Sequence, residues 1–250
     1  MTSGDPTRVL IAGGGVAALE AALALRDLAA DRVSVELLAP EPHFWYRPLA
    51  VAAPFKLGEV MRLELDSLAR AIGAGVTPGA LTGVDAWRHI AYTSKNAQIE
   101  YDVLLVACGA LATPAIPGAL TFRGPADIEM IEHLLEEIAS GAVRSVAFAI
   151  PWGAVWSLPA YELALLTAAY LEEHQIREVE LTVVTPEEEP LRLFGQPATD
   201  AVLTLLAERG VSVHTGALVA AVAEGELRLI PEGSISVERV VALPRLRAAR

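Results

Sequence analysis

Three glycines and an alanine, Gly13, Gly14, Gly15 and Ala18, break an apolar run and open an alanine- and leucine-rich stretch. The spacing Gly13-x-Gly15-x-x-Ala18 suits one task. Gly13 permits a tight turn, Gly15 lets backbone approach a pyrophosphate, and Ala18 holds a helix close to its strand. The amides around Gly14, Val16 and Ala17 then face the phosphates, where the helix dipole favours negative charge. Other chemistry is narrowly bounded. Cys108 is the only cysteine, so no intrachain disulfide can form, structural or redox. The histidines, at 43, 89, 133, 174 and 214, share no ligand spacing, and no metal site is proposed from them. Neither a G-x-S-x-G elbow nor a Walker loop is present, which leaves hydrolase and kinase readings without support.

The elements that must position the glycine loop follow from periodicity. A strand at 8–12, a helix at 16–29 and a strand at 33–38 form a βαβ unit, followed by an irregular stretch at 39–60. The pattern continues with a short helix near 64–72 and strands near 75–77, 80–85, 88–92 and 103–107. Prolines and glycines at 114–125 mark a crossover between domains. Beyond it, Ile128, Ile131, Leu134, Leu135 and Ile138 recur at helical spacing over 127–139. The first unit then recurs as strand 145–150, helix 160–174 and strand 179–184. Each second strand ends in a Pro-Glu pair, Pro40-Glu41 and Pro186-Glu187, and each helix carries an early glutamate, Glu20 and Glu162. A helix at 200–209 and strands near 211–214, 217–222, 226–230 and 235–242 close the chain.

The chain has 250 residues, a net charge of −12 from 31 acidic and 19 basic residues, 53% hydrophobic content and mean hydropathy of +0.42. No basic cluster offers a nucleic-acid groove. Two uncharged stretches, 103–122 and 145–161, are dense in proline and glycine. They read as strands buried on both faces and followed by turns, not as membrane spans. The first residues, Met-Thr-Ser-Gly-Asp-Pro, show no export signal, so a cytoplasmic location is expected.

Four pieces resemble the flavoproteins with two dinucleotide-binding domains, nearest to sulfide:quinone oxidoreductases, flavocytochrome c sulfide dehydrogenases and type II NADH dehydrogenases. They are the loop 13–18, the stretch Leu38–Leu49, the segment Tyr101-Asp-Val-Leu-Leu-Val-Ala-Cys-Gly-Ala110, and Pro151–Glu162. The resemblance implies an α/β fold of two Rossmann-like domains with parallel sheets. It places an FAD-binding domain at 1–118 and a second, degenerate nucleotide-type domain at 119–250. FAD is the implied cofactor, held by Gly13, Gly14, Gly15, Val16, Ala17 and Ala18 and approached by Ala107, Cys108 and Gly109. Arg47 and Pro48 are implied to border the ring or a phosphate; from the residues alone, Arg47 could equally stack on a neighbouring aromatic.

The departures from that pattern are informative. Where such families place an acid for the adenosine ribose, this chain has Ala39. Glu41 either substitutes for it or is a surface acid. The second loop keeps Gly153 but carries Pro151 and Trp152, which argues against NAD(P)H as donor without excluding it. The redox cysteine of sulfide:quinone oxidoreductases falls at Trp156, so sulfide oxidation through a disulfide is not expected. Tyr161-Glu162 either faces flavin or substrate or complements the helix dipole. The Gly-Asp return segment of these families is not found near the end of the sequence; either the chain is truncated, or a partner chain or self-association is expected to complete the flavin domain. The resulting expectation is an FAD-dependent oxidoreductase passing electrons from a reduced donor to a quinone or protein acceptor. The alternative is a catalytically inactive scaffold or partner subunit.

Overall fold

A computed structural model describes residues 5–248. Residues 1–4, which contributed to the reading of the export signal, lie outside that range. The chain divides into two compact units. One comprises 5–46 and 61–110 with Ala248, the other 47–60 and 111–247.

In the first unit, strands Thr7–Ala12 and Val33–Ala39 flank helix Val16–Ala29, as periodicity indicates. The sheet is parallel, in the order 75–78, 33–39, 7–12, 103–106. The chain therefore winds one way from strand 7–12 and later returns to its other side. That reversal makes the carboxyl end of strand 7–12 a topological switch point, the place where open parallel sheets receive ligands. Ala18 and Ala22 are buried against the sheet; their small side chains let the helix approach it closely. Strand 103–106 is anchored at its start. Asp102 accepts bonds from the Arg8 amide (2.7 Å) and guanidinium, while Tyr101 is buried and stacks on His89. The Arg8 guanidinium holds the Asp102 carboxyl below its usual range.

The second unit repeats the topology. Its parallel sheet runs 120–121, 239–242, 145–149, 180–184, 211–214. Again the first strand of the βαβ unit, here 145–149, is central and its carboxyl end is a switch point. Val146, Ala147, Phe148 and Ala149 are wholly buried. Helix Ile128–Ala139 turns Ile131, Leu134, Leu135 and Ile138 into the core, and Glu137 forms a paired bond with Arg239 on strand 239–242. Helices Leu158–Glu173 and Gln196–Glu208 cover the sheet with it.

Several elements differ from expectation. The helices expected at 160–174 and 200–209 start earlier, because Pro159 and Pro197 occupy first-turn positions where no amide partner is needed. The strand expected at 235–242 is two strands, 234–236 and 239–242, lying in different sheets. Strand 103–106 is not buried on both faces, since Val103 is 49% and Val106 64% exposed; it is the edge of its sheet. Segment 47–60 joins the second unit by burying Ala50 and Val51 in its core. No helix among the described residues is long and apolar enough to cross a membrane.

Candidate functional site

The glycine loop sits at the first switch point. The Gly13 amide donates to Leu38 O (2.9 Å) and the Ala107 amide to Ala12 O (2.8 Å), so the ends of three parallel strands converge on it. Gly13 has φ +143°, and a Cβ there would lie 2.2 Å from the Ala107 carbonyl oxygen. Gly15 is the opposite case. Its φ is −90°, and a Cβ built on it would meet nothing within 4 Å. Gly13 is thus required by the protein's own backbone, while the space over Gly15 is left free for something else.

The helix end supplies the electrostatics. Ala18 and Leu19 both donate to the Gly15 carbonyl, so the amides of Val16 and Ala17 ahead of them have no carbonyl within the helix. Val16 is 62% exposed, and the first turn carries no acidic residue to compete with an anion. Free amides, an uncompensated dipole and an open cradle form an anion site. Its shape and charge fit a pyrophosphate.

The other expected residues divide by unit. Ala107, Cys108 and Gly109 follow strand 103–106 beside this loop; Cys108 is exposed, with its thiol 3.4 Å from Ala12 O. Ala39 is buried, and a Cβ on Gly14 would lie 2.9 Å from its side chain. It backs the loop and presents no polar group. Glu41 is exposed beyond the strand. Arg47 and Pro48 lie in the second unit, where they line a cavity of about 350 Å³. Arg47 is not the cation over an aromatic ring; that is Arg62, 5.7 Å from the centre of Trp45 in the first unit. The pairing of strands 43–45 and 62–64 puts Arg62 opposite Trp45.

The cavity walls are mainly apolar: Val51, Phe122, Trp156, Leu158 and Pro159 contribute, with Arg123 and Glu162 as further polar groups. Arg123 is neutralised by buried Asp127, to which its amide and guanidinium both donate. Among the described residues Glu162 has no such partner, and burial pushes its carboxyl above the usual range. Because ionisation is disfavoured in the folded state, the folded protein is relatively more stable while Glu162 is protonated. That contribution is lost as pH rises from the ordinary glutamate range through its raised value. Glu162→Gln is therefore expected to flatten the melting temperature against pH above about pH 4.3, the ordinary glutamate value. An unchanged pH profile would show that the carboxyl is well solvated.

A second cluster was not anticipated from sequence. Glu187 accepts hydrogen bonds from Ser157 Oγ (2.9 Å), Tyr161 Oη (2.5 Å) and Thr185 Oγ1 (3.0 Å). Tyr161 is fully buried; burial and the adjoining carboxylate push its phenol well above its usual range. Ser157 and Tyr161 lie one helical turn apart, and Thr185-x-Glu187 could form its own local bond, so half the signal was local. The contact between the two segments was not.

Comparison with known proteins agrees with this geometry. The pyridine nucleotide-disulphide oxidoreductase family matches residues 7–242. Two curated NADH dehydrogenase-like proteins of Mycobacterium tuberculosis are 28% identical over 260 residues, covering 98% of this chain and 64% of their own length. The sulfide:quinone oxidoreductase of Aquifex aeolicus superposes with a TM-score of 0.87 at 22% identity, over 97% of this chain and 59% of that one. NDH2 from Plasmodium falciparum, solved in complex with NADH, gives 0.76 at 14% identity, over 97% and 56%. The chain thus spans less than two thirds of the length of the relatives it matches. With two repeated parallel units, a phosphate-shaped glycine loop and a family match across nearly its whole length, the chain belongs to the pyridine nucleotide-disulphide oxidoreductase family.

Proposed function

We propose that the protein is an FAD-dependent oxidoreductase, in which flavin takes electrons from a reduced donor and passes them to a quinone or protein acceptor. The observation that carries this is the open cradle over Gly15, beside helix amides with no acidic competitor. Gly13, Gly14, Gly15, Val16, Ala17 and Ala18 would hold the FAD pyrophosphate by backbone amides, with Ala107, Cys108 and Gly109 permitting close approach on the other side of the strand. Ala39 leaves the adenosine ribose without a carboxylate at that position, so Glu41 is the nearest acid in sequence that could supply one. Arg47 and Pro48 are further proposed cofactor-binding residues. When bound, the cofactor supplies the two-electron chemistry, and the protein positions and tunes it. Glu162, whose carboxyl burial pushes above its usual range in a mainly apolar cavity, is a proposed group for proton exchange.

A single cysteine suits a reducing compartment, and the proposed setting is the cytoplasm. A second copy or a partner chain pairing along the exposed edge strand 103–106, where Val103 and Val106 are open, belongs to the same proposal. The test is to soak the purified protein with FAD, remove free cofactor and record its visible spectrum. Retained bands near about 370 and 450 nm, those of protein-bound flavin, are expected. A colourless protein would favour the scaffold reading, to which the buried Ala39 lends weight.

A further inference from the structure

The family's name implies a pyridine nucleotide, and the second unit has the topology to receive one. The two units provide an internal comparison. In the first, only residues 13–15 separate strand 7–12 from its helix, so the helix amides lie directly over the strand end. In the second, residues 150–157 intervene between strand 145–149 and helix Leu158–Glu173. That longer loop keeps a single glycine, Gly153, with open space around it, and surrounds it with side chains: Pro151 is buried, and Trp152 and Trp156 stand 71% and 51% exposed. The helix start is also poor in donors, because Pro159, within its first turn, has no amide hydrogen.

The acid that would meet a nucleotide ribose is already committed. Glu187 follows strand 180–184 at the switch point, as a ribose-binding acid must. Three of its roughly four acceptor sites are used, one on Oε1 by Ser157 and two on Oε2 by Tyr161 and Thr185. The clamp has a second effect. It ties the segment after strand 180–184 to the loop before the helix, and the two segments also meet where Trp156 packs edge-on against Phe194, with ring centres 5.4 Å apart. Trp156 in turn lines the cavity. The residues do not fit a dinucleotide.

We infer that the second unit has lost nicotinamide-dinucleotide binding, Glu187 having been turned from a ribose ligand into an internal clamp bonded to Ser157, Tyr161 and Thr185. If the oxidoreductase proposal holds, its reductant belongs to a class without a pyrophosphate, a corollary that rests on that proposal. The inference concerns binding alone and stands whether or not flavin is retained.

The test is a fluorescence titration of the purified protein with NADH and then NADPH, up to about 1 mM, the upper end of ordinary KM values. No saturable change is expected. In the same preparation, Tyr161→Phe should lower the melting temperature by about 3–10 °C, as loss of a charge-assisted bond in a chain this size predicts. Saturable NADH or NADPH binding that Glu187→Gln weakens by about 10- to 100-fold, the worth of a charged hydrogen bond, would overturn the inference. So would saturable binding indifferent to Glu187, since it would reveal a dinucleotide site after all. An unchanged melting temperature in Tyr161→Phe would remove the clamp. Flavin content, read separately by absorbance, keeps the two claims apart: a colourless protein that ignores NADH sinks only the flavin proposal.

Discussion

Gly15→Val should leave the protein folded and abolish FAD retention, whereas Gly13→Ala should damage the fold itself. The two residues are two positions apart, and the structure assigns them opposite constraints. Gly15 has an extended backbone that any residue can adopt and open space around it, so a valine there costs only about 1 kcal/mol, the loss of a favourable N-cap residue. Its branched side chain would fill the cradle that the phosphates need and weaken FAD by at least about 100-fold, the effect of losing several charge-assisted bonds to helix amides. Alanine at Gly13 would place a methyl 2.2 Å from the Ala107 carbonyl oxygen, at a φ that side chains rarely adopt. Strand 103–106 would have to move, at a cost of about 2–4 kcal/mol. Thermal melts and flavin absorbance of both variants give the two readouts. Equal loss of stability in both would mean that the loop is a structural turn and not a cradle.

Glu187→Ala is expected to destabilise the protein by about 3 kcal/mol, because it removes the carboxylate that accepts from the buried Tyr161 hydroxyl. Tyr161→Phe alone should cost about half as much, since Ser157 and Thr185 still donate to the carboxylate. Adding Tyr161→Phe to Glu187→Ala should then recover stability, as it removes the unsatisfied hydroxyl. A double-mutant cycle in urea measures that coupling. Strictly additive losses would show that Tyr161 and Glu187 do not depend on each other.

Local signals carried most of the architecture. Helix 128–139 is legible because its buried isoleucines and leucines recur with a helical period. The loop 13–18 is legible because glycine chemistry fixes both turn and approach. The repeat of strand, helix and strand in the second half led to a second unit with the same winding, including the reversal beside strand 145–149. What escaped was non-local. An apolar run such as Val103–Val106 does not reveal whether a neighbouring strand covers it, and here it forms an edge. Segment 47–60 carries no pattern of its own, and only the packing of Ala50 and Val51 assigns it to the second unit. The sequence offers Glu187 only as half of a Pro-Glu pair after a strand, because two of its three hydroxyl donors, Ser157 and Tyr161, lie 30 and 26 residues away in sequence.

The claim on which the proposed activity rests is that the chain recognises a flavin dinucleotide through its pyrophosphate. Equilibrium titration of the purified protein with FAD, set beside riboflavin, addresses it directly. Riboflavin carries the same ring and no phosphate. If the cradle over Gly15 is the determinant, FAD binds and riboflavin binds at least about 100-fold more weakly, the loss expected when charge-assisted phosphate contacts are removed. Riboflavin binding as tightly as FAD, or neither binding at all, would contradict the account.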